Sequence, residues 1–137
     1  MDEVLLGKAA IIERCLRRIE EEYRGHEAEL ATNFTRQDSI LLNLQRACEA
    51  SIDAAMHLVR LHRLGIPTES REGFSLLVRA GLLETEMGGH LQSMVGFRNI
   101  AIHNYRELDL EIVRNILAHR LDDLRAFAGW LLTLALP

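Results

Sequence analysis

An arginine and a histidine five positions apart, Arg98 and His103, are the residues of this chain best suited to chemistry. They belong to the segment 98–105, RNIAIHNY, which also contains Tyr105. Arginine is a permanent cation whose planar guanidinium matches the oxygens of a phosphate. Histidine takes up and releases a proton near neutral pH. Together these side chains suit reactions at a phosphate ester.

The spacing of the two residues constrains how they can act together. Five residues of an ideal α-helix span about 500°, so positions 98 and 103 lie about 140° apart around the axis. Two explanations are open: the helix ends or distorts between them, or the arginine and histidine of one site come from two chains of a symmetric dimer. A plainer interpretation also stands, in which Arg98 pairs with a carboxylate and His103 caps a backbone carbonyl.

Apolar residues recur every three or four positions along most of the chain, which is the spacing of one helix face. The first helix is predicted from Asp2 to about Arg24, and the second from a capping box that begins at Thr35 to Leu64. The predicted buried residues are Leu5, Ala9, Ile12, Leu16 and Ile19 in the first helix and Leu41, Leu44, Cys48, Ile52, Ala55 and Val59 in the second.

Further helices are predicted over 71–80, after the cap Ser70, over 84–102, and over 109–134. The buried stripe of the last one is Ile112, Ile116, Leu121, Leu124, Phe127 and Leu131. No strand-like alternation is present, so the prediction is an all-α protein. The predicted architecture is an antiparallel up-and-down bundle of four to five helices that forms one domain over 1–137.

Composition narrows the classes of function. The net charge of −4 argues against a protein that holds long nucleic acids by charge alone. Cys15 and Cys48 are too few for a disulfide framework and are interpreted as buried thiols. The acidic start and the lack of a long apolar run predict a cytoplasmic protein. No metal site and no cofactor are expected.

The segment RNIAIHNY resembles the motif of the HEPN superfamily, which is an arginine, a polar residue, three apolar residues and a histidine. The tyrosine two positions after the histidine is similar to the HepT branch, the RNase toxins of toxin–antitoxin pairs. The resemblance extends over nearly the whole chain, through IIERCLRRI at 11–19, DSILLNLQRACEA at 38–50, LGIP at 64–67 and ELDL at 107–110. Asn104 departs from the acidic residue that is often found in relatives.

The resemblance implies a dimerising helical bundle that cleaves RNA without a metal ion. Arg98 would hold the scissile phosphate, His103 would move a proton, and Asn99 would orient one of the reacting groups. Elementary chemistry agrees, because RNA carries its own nucleophile in the 2′-hydroxyl. A positioned imidazole and a fixed cation then supply acid–base and electrostatic catalysis.

The resemblance also gives Tyr105 a separate role as the acceptor of AMP. The donor would be a cognate nucleotidyltransferase antitoxin of the MntA type, which transfers AMP from ATP. AMP beside the cleft would add negative charge and bulk where RNA phosphates must bind. An alternative from another class is a non-catalytic helical module that partners a nucleotidyltransferase or binds a nucleotide, with Arg98 only as an anion anchor.

Overall fold

A computed structural model describes residues 1–103 and 109–137, with the side chains of residues 102 and 103 outside the description. These residues form six α-helices, one turn of 3₁₀ helix at Glu27–Glu29, and no strand. The helices are α1 (Glu3–Tyr23), α2 (Phe34–Leu61), α3 (Ser70–Arg79), α4 (Thr85–His103), α5 (Leu110–His119) and α6 (Leu121–Ala135). The all-α prediction is confirmed. None of the described helices is long and apolar enough to cross a membrane.

The two long N-terminal helices form the frame of the bundle. α1 begins after Asp2, whose side chain accepts a hydrogen bond from the Leu5 amide at 3.1 Å. α1 packs along α2 on one side and α6 on the other. Every residue predicted to be buried in these two helices is buried, including Cys48, and Cys15 is buried as well. Helical periodicity therefore identified the inner faces of α1 and α2 correctly.

The predicted bounds of α2 were wrong at both ends. Its N-cap is Asn33, whose side chain accepts a hydrogen bond from the Arg36 amide at 3.1 Å, so the capping box at Thr35 does not form. The helix ends at Leu61, and Arg63 then adopts a left-handed backbone conformation with φ of 53°. The chain therefore leaves the helix before Gly65, the residue that the sequence suggested as its end.

The region predicted as one last helix is two helices, α5 and α6, which meet at Arg120. The bundle consequently has six helices in the described residues rather than four to five. The step from Ile116 to Leu121 is five residues, and it breaks the rhythm of three and four that a single straight helix needs. Ile112 was predicted to be buried, but it is 47% exposed, and Val113 occupies the core instead.

The buried residues form one cluster to which all six helices contribute. Phe74 of α3 meets the edge of Phe127 of α6 with ring centroids 6.0 Å apart. α3 and α4 approach closely, because a Cβ added at Gly88 would lie 2.5 Å from a methyl group of Val78. Ser70 is the first residue of α3 rather than its cap. The close approach at Gly88 places α4 directly against α3.

Candidate active site

Arg98 extends from α4 toward α2 and the start of α3, where two side chains hold its guanidinium. Its Nη1 donates to the Glu49 carboxylate at 2.5 Å, and its Nη2 donates to the Ser70 hydroxyl at 3.1 Å. The Arg98 side chain is only 15% exposed, whereas that of Glu49 is 38% exposed. A charge-assisted bond of this kind fixes direction as well as position. The orientation of the guanidinium is thus set from two helices.

The remaining donors of Arg98 determine what else it can bind. A guanidinium has five N–H groups. One on Nη1 and one on Nη2 are used, and the Nε of Arg98 is buried with no hydrogen-bond partner among the described residues. The second N–H on each Nη atom is left over in the described part of the chain. Two neighbouring donors on one fork match two oxygens of a phosphate.

Glu49 and Ser70 are functional candidates that the sequence did not reveal. Glu49 is 49 residues from Arg98 along the chain, and Ser70 is 28 residues away. The one local signal is a carboxylate placed between the buried residues Cys48 and Ala50. Burial raises the pKa of the Cys48 thiol to about 12, so this neighbour stays neutral. Glu49 is therefore the anionic group next to Arg98 in this part of α2.

The backbone of α4 removes one of the two explanations for the spacing of Arg98 and His103. α4 is helical without interruption from Thr85 to His103, so the helix does not end between the two residues. The other explanation, a site shared by two chains, stays a prediction. For Arg98 the plainer interpretation also holds, since it does pair with a carboxylate.

Of the other predicted site residues, Asn99, His103 and Tyr105, only Asn99 has a side chain within the description. Asn99 follows Arg98 and is exposed on the outer side of α4. The side chain of His103, Asn104 and Tyr105 lie outside the described residues. Among the residues that are described, no group of three or more histidine, cysteine, aspartate or glutamate side chains could hold a metal ion.

Three comparisons place the chain among known proteins. A family model described as ribonuclease HepT-like matches residues 12–129. The mRNA nuclease HepT of Shewanella oneidensis is 45% identical over 127 residues, which cover 93% of this chain and 95% of that protein.

Two solved structures are also similar. One is a tri-AMPylated Shewanella oneidensis HEPN toxin in complex with an MNT antitoxin, with 43% identity, a TM-score of 0.91, and 97% of this chain and 99% of that one covered. The other is a toxin–antitoxin complex with AMP-PNP, with 42% identity, a TM-score of 0.89, and 96% and 99% covered.

Proposed function

Because the chain belongs to the HepT-like ribonuclease family, we propose that it is a metal-independent endoribonuclease, the toxin of a toxin–antitoxin pair that acts on cytoplasmic RNA. The observation that carries this proposal is the held guanidinium of Arg98, five positions before the histidine that ends the same uninterrupted helix. The relative named as an mRNA nuclease supports the same reaction class.

The reaction uses the 2′-hydroxyl of RNA as the nucleophile. Its oxygen forms a bond to phosphorus while the bond from phosphorus to the 5′-oxygen breaks, which leaves a 2′,3′-cyclic phosphate and a 5′-hydroxyl. Arg98 binds the phosphate oxygens and stabilises the charge that develops on them. His103 takes the proton of the 2′-hydroxyl or gives one to the leaving oxygen. Asn99 orients one of the reacting groups.

The proposed site lies between two copies of the chain. An uninterrupted helix separates positions 98 and 103 by about 140°, so one chain does not aim both groups at one phosphate. Next to the motif, α4 and α5 enclose a groove of 640 Å³ that includes the exposed side chains of Ile100 and Ile112. A second copy would cover this apolar surface. The variant Ile100→Glu is expected to lower the mass measured by sedimentation, and an unchanged mass would exclude this face.

The regulatory partner in the proposal is a nucleotidyltransferase of the MntA type. It transfers AMP from ATP to the phenol oxygen of Tyr105, and pyrophosphate leaves. The complexes of similar toxins with antitoxins, one of them tri-AMPylated, support this assignment. Incubation with the antitoxin and ATP should raise the intact mass by AMP increments and stop RNA cleavage. Tyr105→Phe should gain no AMP increment and stay active.

The experiment that tests the proposed function is RNA cleavage in excess EDTA. The protein is first shown by intact mass to carry no AMP. Arg98→Ala and His103→Ala are expected to lose at least about a hundredfold in rate while remaining helical. Arg17→Ala is the matched control, because Arg17 is an exposed arginine on α1. Absence of cleavage by the unmodified protein would refute the proposal, as would unchanged rates in the two site variants.

One observation favours the second candidate, a non-catalytic binding module. The Arg98–Glu49 pair is what a structural or anion-anchoring arginine makes. This module would bind the nucleotidyltransferase, or a nucleotide, without cleaving RNA. It predicts that Arg98→Ala weakens that binding while EDTA-resistant cleavage is absent from the wild type.

A further inference from the structure

A groove between α3 and α4 includes Arg79 in its lining, and a second arginine, Arg71, precedes it on α3. Its volume is 380 Å³, and it is lined by Ser75, Val78 and Arg79 of α3 and by Thr85, Gly88, Gly89 and Gln92 of α4. Arg71 stands beyond Gln92, one turn before Ser75 along α3. Arg71 and Arg79 are both exposed. They are eight residues apart, which is about 12 Å along the helix.

Arg71 is anchored to α4 by its inner atoms. Its Nε donates to the Gln92 carbonyl at 3.3 Å, and the Gln92 amide donates to the Arg71 carbonyl at 3.0 Å and to the Ser75 hydroxyl at 2.6 Å. The guanidinium rests over Gly96, where a Cβ would lie 2.5 Å from Nη2. The lack of a side chain at Gly96 makes room for this arrangement. The stem of Arg71 is therefore fixed while its outer N–H groups stay at the surface.

The position of Arg71 connects this groove to the proposed active site. Gly96 and position 103 are seven residues apart, so they lie within about 20° of each other around α4 and about 10 Å apart along it. Arg71 therefore contacts the same face of α4 as the one on which position 103 lies. It also follows Ser70, the residue that accepts the hydrogen bond from Arg98.

Arg71 and Arg79 belong to the arginines of the described chain that form no ion pair. Neither forms an ion pair within the described residues, whereas Arg18, Arg36, Arg98, Arg114, Arg120 and Arg125 all do. The nearby carboxylate of Glu72 instead accepts hydrogen bonds from the amide and hydroxyl of Thr68. The hydrogen bonds from Thr68, and to a smaller extent the nearby charge of Arg79, lower the pKa of the Glu72 carboxyl. Because neither guanidinium forms an ion pair within the described residues, both are suited to bind an external anion.

We propose that Arg71 and Arg79 bind phosphates of the RNA strand next to the cleaved bond, so that the α3–α4 groove is the path of single-stranded RNA. The inference rests on the proposed function, because it takes position 103 as the place of cleavage. Phosphate contacts of this kind fix the register of a strand without reading its sequence. Gly89, which has open space around it, leaves the groove without a side chain at this point, so the backbone of the strand can approach.

The test separates binding from cleavage by using a 2′-O-methyl RNA oligonucleotide, which lacks the nucleophilic hydroxyl. Its affinity is measured against salt concentration for the wild type, Arg71→Ala and Arg79→Ala. Each substitution should weaken binding about three- to tenfold. Each should also reduce the slope of log affinity against log salt by about 0.7, the value for one phosphate contact on a single strand. Arg17→Ala removes an exposed arginine elsewhere and should leave both unchanged.

A second variant tests position rather than charge. Gly96→Ala keeps Arg71 but places a methyl group where its guanidinium rests, so binding should weaken although the net charge is constant. Circular dichroism verifies that each variant is folded.

The inference would be overturned if Arg71→Ala and Arg79→Ala bound the oligonucleotide with the same affinity and the same salt slope as Arg17→Ala, even if the wild type cleaves RNA. Binding that depends on both arginines in a wild type that does not cleave would instead refute only the proposed function.

Discussion

Removal of Glu49 is expected to destabilise the fold and to release the guanidinium of Arg98. The carboxylate supplies a 2.5 Å bond to Nη1 and the nearest counter-charge to a side chain that is 15% exposed. Without it, Ser70 remains as a neutral partner through one hydrogen bond at 3.1 Å. Arg98 would then be a half-buried cation with an unpartnered Nε and with no fixed direction for its outer N–H groups.

The magnitude follows from the burial of the two partners. Breaking a fully buried pair by removal of one partner costs about 3–5 kcal/mol. An exposed pair contributes about 0.2–1 kcal/mol. Arg98 is mostly covered and Glu49 is 38% exposed, so Glu49→Ala should lower the free energy of unfolding by about 1–2 kcal/mol. Arg98→Ala leaves a carboxylate that water can reach, and its electrostatic cost should be smaller.

The assay is urea unfolding followed by circular dichroism on the wild type, Glu49→Ala, Arg98→Ala and the double variant. The double-mutant cycle isolates the energy of the pair, which should be about 1–2 kcal/mol. RNA cleavage by Glu49→Ala should fall while the protein remains folded, because the phosphate-binding fork is no longer oriented. A coupling energy below about 0.3 kcal/mol would contradict the prediction that Glu49 stabilises Arg98. Faster cleavage by Glu49→Ala would do so too, since Glu49 would then compete with the substrate for Arg98.

Other predictions concern the stability of the fold. Asp2→Ala should lower the free energy of unfolding by about 1 kcal/mol at pH 7, because Asp2 caps α1 and accepts a hydrogen bond from His57 at 2.8 Å. The hydrogen bond from His57 lowers the pKa of Asp2 below its ordinary value of 3.8. The stabilisation from the ionised Asp2 carboxylate is therefore present above pH 3.8 and is lost as the pH falls below that value. A difference in melting temperature between wild type and Asp2→Ala that stays constant under acid would contradict this. Gly88→Ala should destabilise by about 1–3 kcal/mol in urea unfolding, because its methyl group would meet Val78 at 2.5 Å. Gly89→Ala is the matched control with open space around it, and it should instead stabilise by up to about 1 kcal/mol; similar effects of the two substitutions would be inconsistent with the close α3–α4 packing.

Features set by neighbouring residues were largely predictable from the sequence. The inner faces of α1 and α2 follow from local periodicity, and the residues identified there are buried. The division at Arg120 was also encoded, as a five-residue step between Ile116 and Leu121 that a single helix does not accommodate. The start of α2 was misjudged because Asn33 and Thr35 are both able to cap, and the backbone conformation of Asn33 decides between them.

The environment of Arg98 was not predictable from the sequence, because its partners come from distant parts of the chain. Periodicity places a residue on a helix face, but it does not say which carboxylate of another helix will face it. The motif predicted which residues act, and the resemblance predicted the reaction class. Only the packing of α4 against α2 and α3 shows that Glu49 and Ser70 orient the guanidinium.

The proposed dimer places Arg98 of one chain and His103 of the other in one active site. The most direct test uses dimers in which the two chains carry different tags, so that mixed dimers are purified and assayed for RNA cleavage. A dimer of Arg98→Ala with His103→Ala still holds one intact arginine and one intact histidine on opposite chains, and it should retain about half of the wild-type rate. A dimer of wild type with the double variant Arg98→Ala/His103→Ala holds both groups on one chain only, and it should be inactive. The reverse pattern would contradict the account.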